Sequence, residues 1–485
     1  MKKTIQDILY QVAILQINGD VKHIITTLAF DSRQVIANTL FIAVRGTQVD
    51  GHDYISIAID KGATAIVCEE YPAILLPHIT YVKVVDSAEA LSYIACNFYD
   101  NPSAKLQLIG VTGTNGKTTT ATLLYNLFSS LGYPTGLLST VENKILHTTI
   151  PSTHTTPDPI QLHSLLAKMV ELGCSHCFME VSSHAVVQHR ITGLTFKGGI
   201  FTNLTHDHLD YHGTFAAYRD AKKLFFDKLP KTAFAIVNED DRNGKFMLQN
   251  TKAKTYTYAQ HVLGDFRVKI MENSFHGLVL NINGVEVSTS LIGSFNAYNV
   301  AAIYGTASLL GIPQQELLVA ISKLQSVSGR FQYLTHPITK VTVIIDYAHT
   351  PDALENVLTT IADIKYTASK VITVVGCGGD RDKQKRPIMA KIAEQYSDYV
   401  FLTSDNPRTE NPETILHDML KGIQNPSKVT SIVDRSQAIH ESIQQATKND
   451  VVLIAGKGHE TYQEIHGVKY PFDDTIIAKR FLEKQ

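Results

Sequence analysis

One short segment constrains this chain more than any other: a glycine-rich turn between an apolar strand and a helix. The apolar run LQLIGVT at 106–112 leads into the turn, and a helical pattern continues from residue 118 to about residue 131. In a strand–loop–helix unit of this kind, successive backbone N–H groups and the helix N-terminus bind phosphate oxygens. The segment predicts an ATP-binding loop formed by Gly113, Thr114, Asn115, Gly116, Lys117, Thr118 and Thr119.

Within this loop, Lys117 is expected to reach the outer phosphates, and the Thr118 hydroxyl is expected to hold Mg²⁺. The motif is the shorter form G-T-x-G-K-T, because the commoner G-x-x-x-x-G-K-[ST] pattern requires glycine where this chain has Val111. The alternative is a glycine-rich turn followed by Lys-Thr by chance. The strand before the loop and the helix after it favour phosphate binding.

Size and composition indicate a globular protein of several domains. The chain of 485 residues exceeds one hydrophobic core, so two or three domains are expected. Hydrophobic residues make up 44% and charged residues 19%, with a net charge of -2. Because 44 Lys and Arg stand against 46 Asp and Glu, there is no basic excess, which argues against nucleic acid as a partner.

The apolar segments are short, which bears on location. Gln6, Asp7 and Gln11 interrupt the N-terminal apolar run, and no later stretch approaches the roughly 18 apolar residues of a membrane helix. We expect a cytoplasmic protein without membrane insertion.

The odd number of scattered cysteines suits reduced thiols. Cys174 and Cys177 form a C-x-x-C without a second pair at zinc spacing, so a buried strand is favoured over a metal or redox site.

Three segments with different patterns predict an α/β fold of three domains. Residues 1–104 alternate short apolar runs with Gly- and Asp-rich turns, which indicates a small α/β domain. Residues 105–330 hold the phosphate loop and further strand-like runs, and predict a central P-loop ATP-binding domain with a mostly parallel sheet. Residues 331–485 alternate apolar strands with helical stretches, which is typical of βαβ units and predicts a Rossmann-like domain.

In the last segment, four apolar strands are each followed at once by a dense polar loop. In open α/β sheets, ligands bind beyond the carboxyl ends of the strands, so these loops are expected to line one site. The loops are DYAHTPD at 346–352, GCGGDRDKQKRP at 376–387, SDNPRTE at 404–410 and GKGHE at 456–460.

The shorter phosphate loop resembles that of the superfamily of Mur ligases and folylpolyglutamate synthetases. Further stretches, in family order from residue 31 to residue 460, resemble the Mur ligases in particular. They are Thr155-Thr156-Pro157, EVSSHAVVQHR at 180–190, TNLTHDHLDYHG at 202–213, Ala221-Lys222, NAYN at 296–299, Gly329-Arg330-Phe331, DYAHTP at 346–351, GGDRDKQKRP at 378–387 and DNPR at 405–408.

This resemblance implies an ATP-dependent amide ligase of peptidoglycan synthesis. A substrate carboxylate attacks the γ-phosphate of ATP to give an acyl phosphate, and an incoming amine then displaces phosphate. Three small-molecule substrates are implied: ATP, UDP-N-acetylmuramoyl-L-alanyl-D-glutamate and meso-diaminopimelate. The N-terminal domain is expected to bind part of the UDP-sugar, and the C-terminal domain is expected to bind meso-diaminopimelate. ATP and Mg²⁺ are the implied cofactors, and we expect a monomer.

The resemblance also assigns the remaining site residues. Glu180 and His208 correspond to ligands of a second Mg²⁺, although Mg²⁺ prefers oxygen, and a zinc site or a polar loop is the alternative for His206, His208 and His212. Lys222 corresponds to a lysine that CO₂ carbamylates to an anion, which helps to position Mg²⁺ near the reacting carboxylate; the alternative is a surface-helix lysine. Nucleotide contacts are assigned to Asn296, Asn299, Arg330 and Asp346, and UDP-sugar contacts to Ser32, Thr155, Thr156, Ser182, Gln188 and Arg190.

The loop Asp405-Asn406-Pro407-Arg408 resembles the form in ligases that add meso-diaminopimelate. Diaminopimelate differs from lysine by a second carboxylate, which a guanidinium can bind with two charge-assisted hydrogen bonds. A solvent-facing turn arginine is the alternative for Arg408. The companion amino-acid contacts are assigned to Arg381, Gly456 and Glu460.

Three other functions stay open at this stage. A lysine-adding ligase and a folylpolyglutamate synthetase are the alternatives among enzymes, although the latter does not need the DNPR loop or the stretch at 180–190. A nucleotide-binding regulatory protein would keep the phosphate loop. It would have no reason to retain Lys222, His208 and four polar C-terminal loops together.

Overall fold

The computed structural model describes residues 2–46, 49–205, 207 and 209–484. Within these residues, the main strands form sheets of five, eleven and six strands, which lie in the three predicted segments in chain order. The three-domain α/β fold class is therefore confirmed. His206 and His208 lie outside the described residues.

The N-terminal sheet has the order β2-β7-β6-β5-β4, with a small β1-β3 pair beside it. Its strands are β1 Lys3–Thr4, β2 Ile14–Asn18, β3 Ile24–Ile25, β4 Thr27–Ala29, β5 Thr39–Ile42, β6 Ala63–Cys68 and β7 Thr80–Val84, and its helices are α1 Ile5–Ile8, α2 Ile55–Asp60 and α3 Ser87–Phe98. One apolar cluster lies on each face of this sheet.

The central sheet has a parallel middle and antiparallel ends. Its strands are β8 Gln107–Thr112, β9 Thr135–Leu138, β10 Glu142–Ile145, β11 Thr148–Pro151, β12 His176–Glu180, β13 Gly198–Phe201, β14 Phe234–Asn238, β15 Lys254–Ala259, β16 Phe266–Ser274, β17 Gly277–Ile282 and β18 Val285–Thr289. The order is β11-β10-β9-β12-β8-β13-β14-β15-β16-β17-β18, and the run from β9 to β16 is parallel.

Helices cover both faces of this sheet, which explains why its middle strands are almost continuously apolar. The helices are α4 Lys117–Ser130, α5 Pro159–Glu171, α6 Ser183–Val187, α7 Leu209–His212, α8 Phe215–Asp227, α9 Gly244–Leu248, α10 Ser294–Leu309 and α11 Gln314–Ser322. The N-terminus of α4 has no side-chain cap, because Gly116 precedes it. Its first backbone N–H groups therefore remain available to a ligand.

The C-terminal sheet has the order β19-β20-β24-β21-β22-β23 and is parallel from β20 to β23. Its strands are β19 Gln332–Thr335, β20 Thr342–Asp346, β21 Val371–Val375, β22 Tyr399–Leu402, β23 Val429–Ser431 and β24 Val451–Ala455, followed by a hairpin of β25 Tyr462–Ile465 and β26 Val468–Pro471. The helices are α12 Pro351–Ile364, α13 Lys385–Tyr396, α14 Pro412–Leu420, α15 Arg435–Gln445 and α16 Asp474–Leu482.

This strand order decides where the polar loops lie. Strands β20, β24, β21 and β22 are neighbours and parallel, so the loops that follow them leave the same edge of the sheet. The prediction that these loops lie together is confirmed. Helix α12 begins cleanly at this edge, since Thr350 caps it and Pro351 occupies its first turn.

The predictions about the cysteines and about membrane helices can be compared directly with the structure. The five cysteines are free and buried, and Cys177 lies in β12, as the buried-strand interpretation requires. Among the described residues, no helix combines the length and apolarity needed to cross a bilayer. The boundaries at 104/105 and 330/331 remain our proposal.

The three domains contact one another through polar and aromatic groups. The Ser92 hydroxyl of α3 donates to the His189 carbonyl oxygen at 2.6 Å, which joins the first domain to the loop after α6. At the other junction, Phe331 of the C-terminal domain packs edge-on against Phe295 of the central domain, with ring centroids 5.7 Å apart.

Candidate active site

The phosphate loop can form only with glycine at its two ends. Gly113 has φ +150°, and a Cβ there would lie 1.9 Å from Oγ1 of Thr202. Gly116 has φ +86°, and a Cβ there would lie 2.9 Å from Oδ1 of Asn299. Because L side chains rarely adopt these φ values and no space exists for a methyl group, both glycines are structurally required.

Two residues after β13 hold the loop in place. The Thr114 N–H donates to the Asn203 carbonyl oxygen at 2.8 Å, and the Asn115 N–H donates to Oδ1 of Asn203 at 2.9 Å. The Thr202 hydroxyl donates to the Asn115 carbonyl oxygen at 2.6 Å. The sequence assigned no role to Thr202 or Asn203. The Mur-like stretch that begins at residue 202 is the signal that could have identified them.

Two lysine ammonium groups meet at one carbonyl oxygen of the loop. Lys117 Nζ donates to the carbonyl oxygens of Gly113 at 3.0 Å and Thr114 at 2.8 Å. Lys222 Nζ, from α8, donates to the same Gly113 oxygen at 2.7 Å, and the Lys222 side chain is buried. The surface-helix interpretation of Lys222 is therefore wrong.

The environment of these lysines favours their uncharged forms. Burial lowers the pKa of Lys222 well below its usual value, and the charge of Lys117 lowers it further. Desolvation also lowers the pKa of Lys117, while the nearby carboxylates of Glu180 and Asp207 oppose that shift. An anionic ligand here would reduce the repulsion between the two lysines.

Glu180 ends β12 at the edge of the sheet that carries the phosphate loop, with its side chain fully buried. Its Oε1 accepts from the Thr140 N–H at 2.7 Å, whereas its Oε2 has no hydrogen-bond partner among the described residues. A buried carboxylate oxygen without a partner fits a hard cation such as Mg²⁺. The described residues contain no cluster of three or more His, Cys, Asp or Glu side chains that could hold a metal, and His208 is not among them.

The four residues assigned to nucleotide contacts all have partners within the protein, and one of them, Arg330, contacts the phosphate loop directly. Arg330 donates to the Thr118 hydroxyl at 3.2 Å. Asn299 accepts from Thr120 and donates to Asn296, behind the loop. The two carboxylate oxygens of Asp346 accept from the N–H groups of Phe331 and Ala348, and burial raises its pKa against the opposing effect of Arg330.

The residues assigned to the muramoyl-dipeptide form one network beside Glu180, with Ser32 outside it. The Thr156 hydroxyl donates to the Glu180 carbonyl oxygen at 2.8 Å and accepts from the Ser182 N–H at 3.1 Å. Arg190 donates to the Thr156 carbonyl oxygen and to the Gln188 amide oxygen, both at 2.7 Å. Thr155 joins through Thr140 at 3.0 Å.

Ser32 lies in the N-terminal domain, in the short helical turn 32–34 that Asp31 caps. Its side chain is buried, and its carbonyl oxygen accepts from Lys61 Nζ at 3.2 Å. No hydrogen bond joins Ser32 to the muramoyl network within the part of the chain that the structure describes.

Arg408 lies between two loops and the C-terminal hairpin. Its Nη1 donates to the Gly379 carbonyl oxygen at 2.7 Å, and its Nε lies 3.7 Å from Oε2 of Glu464. Its backbone pairs with Ile465, and it adopts φ +52°. A Cβ at Gly378 would lie 2.9 Å from Arg408 and 3.8 Å from Arg381, so the two arginines flank one glycine.

The neighbouring loops are joined by a buried charged group. Lys457 Nζ donates to Oδ1 of Asn406 at 3.1 Å and to Oε2 of Glu460 at 2.9 Å, and the Asn406 amide donates to the same Glu460 oxygen at 2.7 Å. Gly456 lies against Asp405, where a Cβ would approach Oδ2 to 2.6 Å. The predicted residues Asp405, Asn406, Gly456 and Glu460 are therefore together.

Pro407 and Arg381 complete this group of loops. The Pro407 carbonyl oxygen lies 1.9 Å from where a Cβ at Gly379 would be, so the two loops touch through backbone. Arg381 is exposed and makes no hydrogen bond or ion pair to the residues that the structure describes. Its guanidinium is therefore available to a ligand.

Comparison with known proteins shows the family to which the chain belongs. Three family profiles match the chain in order: "Mur ligase family, catalytic domain" over residues 24–99, "Mur ligase middle domain" over 111–307 and "Mur ligase, glutamate ligase domain" over 329–458. The chain belongs to the Mur ligase family. The family prediction from the phosphate loop and the later motifs is thus confirmed.

Among similar Mur ligases, the UDP-N-acetylmuramoyl-L-alanyl-D-glutamate--2,6-diaminopimelate ligase of Cytophaga hutchinsonii is 56% identical over 482 residues, covering 99% of each chain. The protein of the same name from Phocaeicola vulgatus is 54% identical and covers 98% of each chain. A solved structure of a ligase with that name is 32% identical, covers 100% of this chain and 99% of its own, and superimposes with a TM-score of 0.70.

Two groups in this Mur ligase were not identified from its sequence. Lys457 stands in the GKGHE loop, next to the assigned Gly456, and its burial between Asn406 and Glu460 appears only in the fold. Asp352 ends the DYAHTPD stretch and contacts the phosphate loop of the other domain. A carboxylate in a polar loop at the strand ends was the available signal for Asp352.

Proposed function

We propose that this Mur ligase adds meso-diaminopimelate to UDP-N-acetylmuramoyl-L-alanyl-D-glutamate with hydrolysis of ATP to ADP and phosphate, as a step of peptidoglycan synthesis. The observation that carries the proposal is the pairing of a phosphate loop, with Lys117 and Lys222 at one carbonyl, and an arginine-bearing loop in the adjoining domain. The names of relatives 53–56% identical over nearly the whole chain support the same reaction.

The reaction has two steps. The D-glutamate side-chain carboxylate attacks the γ-phosphorus of ATP, the bond to the bridging oxygen breaks, and an acyl phosphate and ADP form. The amine of diaminopimelate then attacks the acyl carbon, loses a proton and displaces phosphate, which leaves the amide. Lys117 and the loop N–H groups neutralise charge on the transferring phosphoryl group.

Mg²⁺ would be held at two places: by the Thr118 hydroxyl, and by Glu180 with His208 as the ligand that the family resemblance adds. The cation would neutralise phosphate charge when bound. The partnerless Oε2 of Glu180 supports this assignment. Thr140 fixes the other oxygen of the same carboxylate, so the carboxylate is already oriented.

Carbamylation of Lys222 is the most distinctive part of the proposal. An amine must be uncharged to attack CO₂, and burial lowers the pKa of Lys222 well below its usual value. The nitrogen attacks the carbon of CO₂, loses a proton and becomes a carbamate. The resulting anion would lie near the positive charge of Lys117 and would help to position Mg²⁺ near the reacting carboxylate.

The substrates are proposed to bind at opposite sides of the phosphate loop. Thr155, Thr156, Ser182, Gln188 and Arg190 would bind the muramoyl-dipeptide and Ser32 the uridine end, while Asn296, Asn299, Arg330 and Asp346 would surround the nucleotide. Arg408 and Arg381 would bind the carboxylates of diaminopimelate, and Glu460 and the backbone at Gly456 its distal amine. We further propose a cytoplasmic monomer.

An amino-acid panel tests this function. Purified protein is incubated with the UDP-sugar dipeptide, ATP and Mg²⁺, and with meso-diaminopimelate, L-lysine or neither, and the product is identified by mass. We expect the diaminopimelate tripeptide and stoichiometric phosphate. A lysine product would establish the lysine-adding alternative, and phosphate release without amino acid or dipeptide would favour a regulatory nucleotide-binding protein.

A further inference from the structure

A carboxylate of the C-terminal domain reaches the phosphate loop of the central domain. Asp352 lies in the first turn of α12, and its Oδ2 accepts from the Asn115 amide at 2.8 Å and from the Thr205 hydroxyl at 3.2 Å. Both partners belong to the central domain, and Asn115 is part of the phosphate loop itself. The amide of Asn356, on the same helix, lies 3.3 Å from the same oxygen.

The side chain of Asn115 is not needed to shape the loop. Thr202 and Asn203 already bind the backbone N–H and carbonyl oxygen of Asn115. Its amide nitrogen is therefore left to donate to the other domain, where the acceptor is the carboxylate of Asp352. This contact therefore joins two domains.

The stability of helix α12 does not by itself explain why residue 352 is a carboxylate. Burial raises the pKa of Asp352, the charges of Glu355 and Asp207 add to that shift, and the bonds from Thr205 and Asn115 oppose it. A charged group kept where burial disfavours the charge is typical of functional sites. The helix N-terminus would accept a neutral residue at this position, because Thr350 already caps α12.

The loop that ends at Asp352 is also attached to the amino-acid loops. The carbonyl oxygen of His349 accepts from Lys385 Nζ at 2.9 Å. Lys385 begins α13, directly after the loop that carries Arg381. Hydrogen bonds thus connect the phosphate loop, through Asp352 and His349, to one wall of the proposed diaminopimelate pocket.

We propose that Asp352 is a positioning residue that fastens the C-terminal domain to the phosphate loop and so holds the amino-acid pocket at the acyl phosphate. The inference rests on the proposed function. Asp352 forms no bond with any reacting atom; it acts through Asn115 and Thr205. Its effect belongs to the second step, when the amine bound by the C-terminal domain must reach the acyl carbon in the central domain.

Kinetics of Asp352→Ala and Asp352→Asn test this inference. Loss of hydrogen bonds to a carboxylate should lower kcat/KM for meso-diaminopimelate by about 10- to 100-fold in the alanine variant. The asparagine variant keeps one acceptor oxygen and should lie between wild type and alanine. ATP affinity, measured with a fluorescent analogue, should be unchanged, because the loop backbone is held within the central domain. Asp363→Asn, an exposed change on the same helix, is the matched control and should match wild type.

A double-mutant cycle separates positioning from a general structural role. Thr205→Val removes one partner of Asp352 without altering α12. If the pair acts together, the losses in kcat/KM of the two single variants should not add in the double variant. Additive losses, an equal loss of ATP affinity, or undiminished kcat/KM in Asp352→Ala with an unchanged melting temperature would each overturn the inference.

Failure of the underlying function looks different from failure of this inference. If the proposed function is wrong, wild-type protein forms no tripeptide. If only the inference is wrong, wild-type protein is active and Asp352→Ala matches it in kcat/KM for the amino acid.

Discussion

Replacing Arg408 by alanine tests the selection of the amino acid most directly. The change removes the bond from Nη1 to the Gly379 carbonyl oxygen at 2.7 Å and the weak pairing of Nε with Glu464 at 3.7 Å. Both arginine and alanine carry a Cβ, so the left-handed backbone at φ +52° is equally strained in each. We expect the fold to persist and the effect to appear in substrate binding.

The size of the effect follows from the exposure of the guanidinium. A carboxylate that loses a hydrogen-bonded charged partner loses about 2–5 kcal/mol of binding free energy. The Arg408 side chain is 22% exposed, so water partly replaces the missing partner and the lower half of that range applies. At about 1.4 kcal/mol per decade, the KM for meso-diaminopimelate should rise about 30- to 300-fold.

The assay compares KM and kcat for meso-diaminopimelate and L-lysine in wild type, Arg408→Ala and Arg408→Lys. The lysine variant keeps the charge but loses the two-pronged geometry, so it should lie between the others. Lysine should gain little in the alanine variant, because removing the guanidinium does not create a pocket for an ammonium group. Arg480→Ala, in the last turn of α16, is a control for charge. Wild-type preference for lysine, or an unchanged KM for diaminopimelate in Arg408→Ala, would refute the argument.

Three further predictions follow from the site and its supports. Lys222→Ala should abolish ligation, and formate or acetate should partly restore it by supplying the missing anion; full activity without an additive would contradict the carbamate. Gly113→Ala should abolish ATP binding in a fluorescence titration, because a methyl group would lie 1.9 Å from a side-chain oxygen, whereas Gly132→Ala, with open space around it, should bind normally. Arg386 lowers the pKa of Glu410 from 4.5 to about 2, so this pair stabilises the fold above pH 4.5 and loses its effect as pH falls towards 2. Urea denaturation should show a weaker pH dependence in that range for Glu410→Gln, and an identical dependence would disprove the pairing.

The phosphate loop was predictable because its chemistry is local. Helix α4 spans 117–130 where the sequence predicted 118–131, and β8 spans 107–112 where it predicted 106–112. Glycine at 113 and 116, with their positive φ values, and the neighbouring apolar run mark the turn in the sequence itself, although Thr202 and Asn203 then hold it in place. It was also predictable that the polar C-terminal loops lie at the same edge of their sheet, because parallel βαβ units place the carboxyl ends of their strands together.

The contacts that complete the site were not predictable from one sequence. Asn115 meets Asn203, 88 residues away, and Asp352, 237 residues away. Lys222 reaches Gly113 across 109 residues. Such contacts depend on how helices and domains pack, which no local pattern encodes, so motif resemblance could name Lys222 but could not show that it is buried beside Lys117.

Resemblance can also name a residue without giving its contacts. Asn296 and Asn299 stand at family positions for nucleotide contacts, yet their side chains bond to one another, to Thr120 and to the Ile292 carbonyl oxygen. In this arrangement they hold α10 against the start of α4. A role in shaping the loop explains their burial better than direct contact with adenine would. Asn299 packs against Gly116, so these residues would affect nucleotide binding through the position of the loop.

The charges around the phosphate loop make it a site that favours anionic ligands. Lys117 and Lys222 share one carbonyl oxygen, and burial lowers the pKa of both. The charge of Lys117 lowers the pKa of Lys222 further, while Glu180 and Asp207 raise the pKa of Lys117. Full pairing with carboxylates would relieve this strain, but the same carboxylates would repel the triphosphate and the attacking carboxylate. Because Glu180 and Asp207 offset the burial of Lys117 only in part, an anionic ligand binds this site more strongly and its binding stabilises the folded protein.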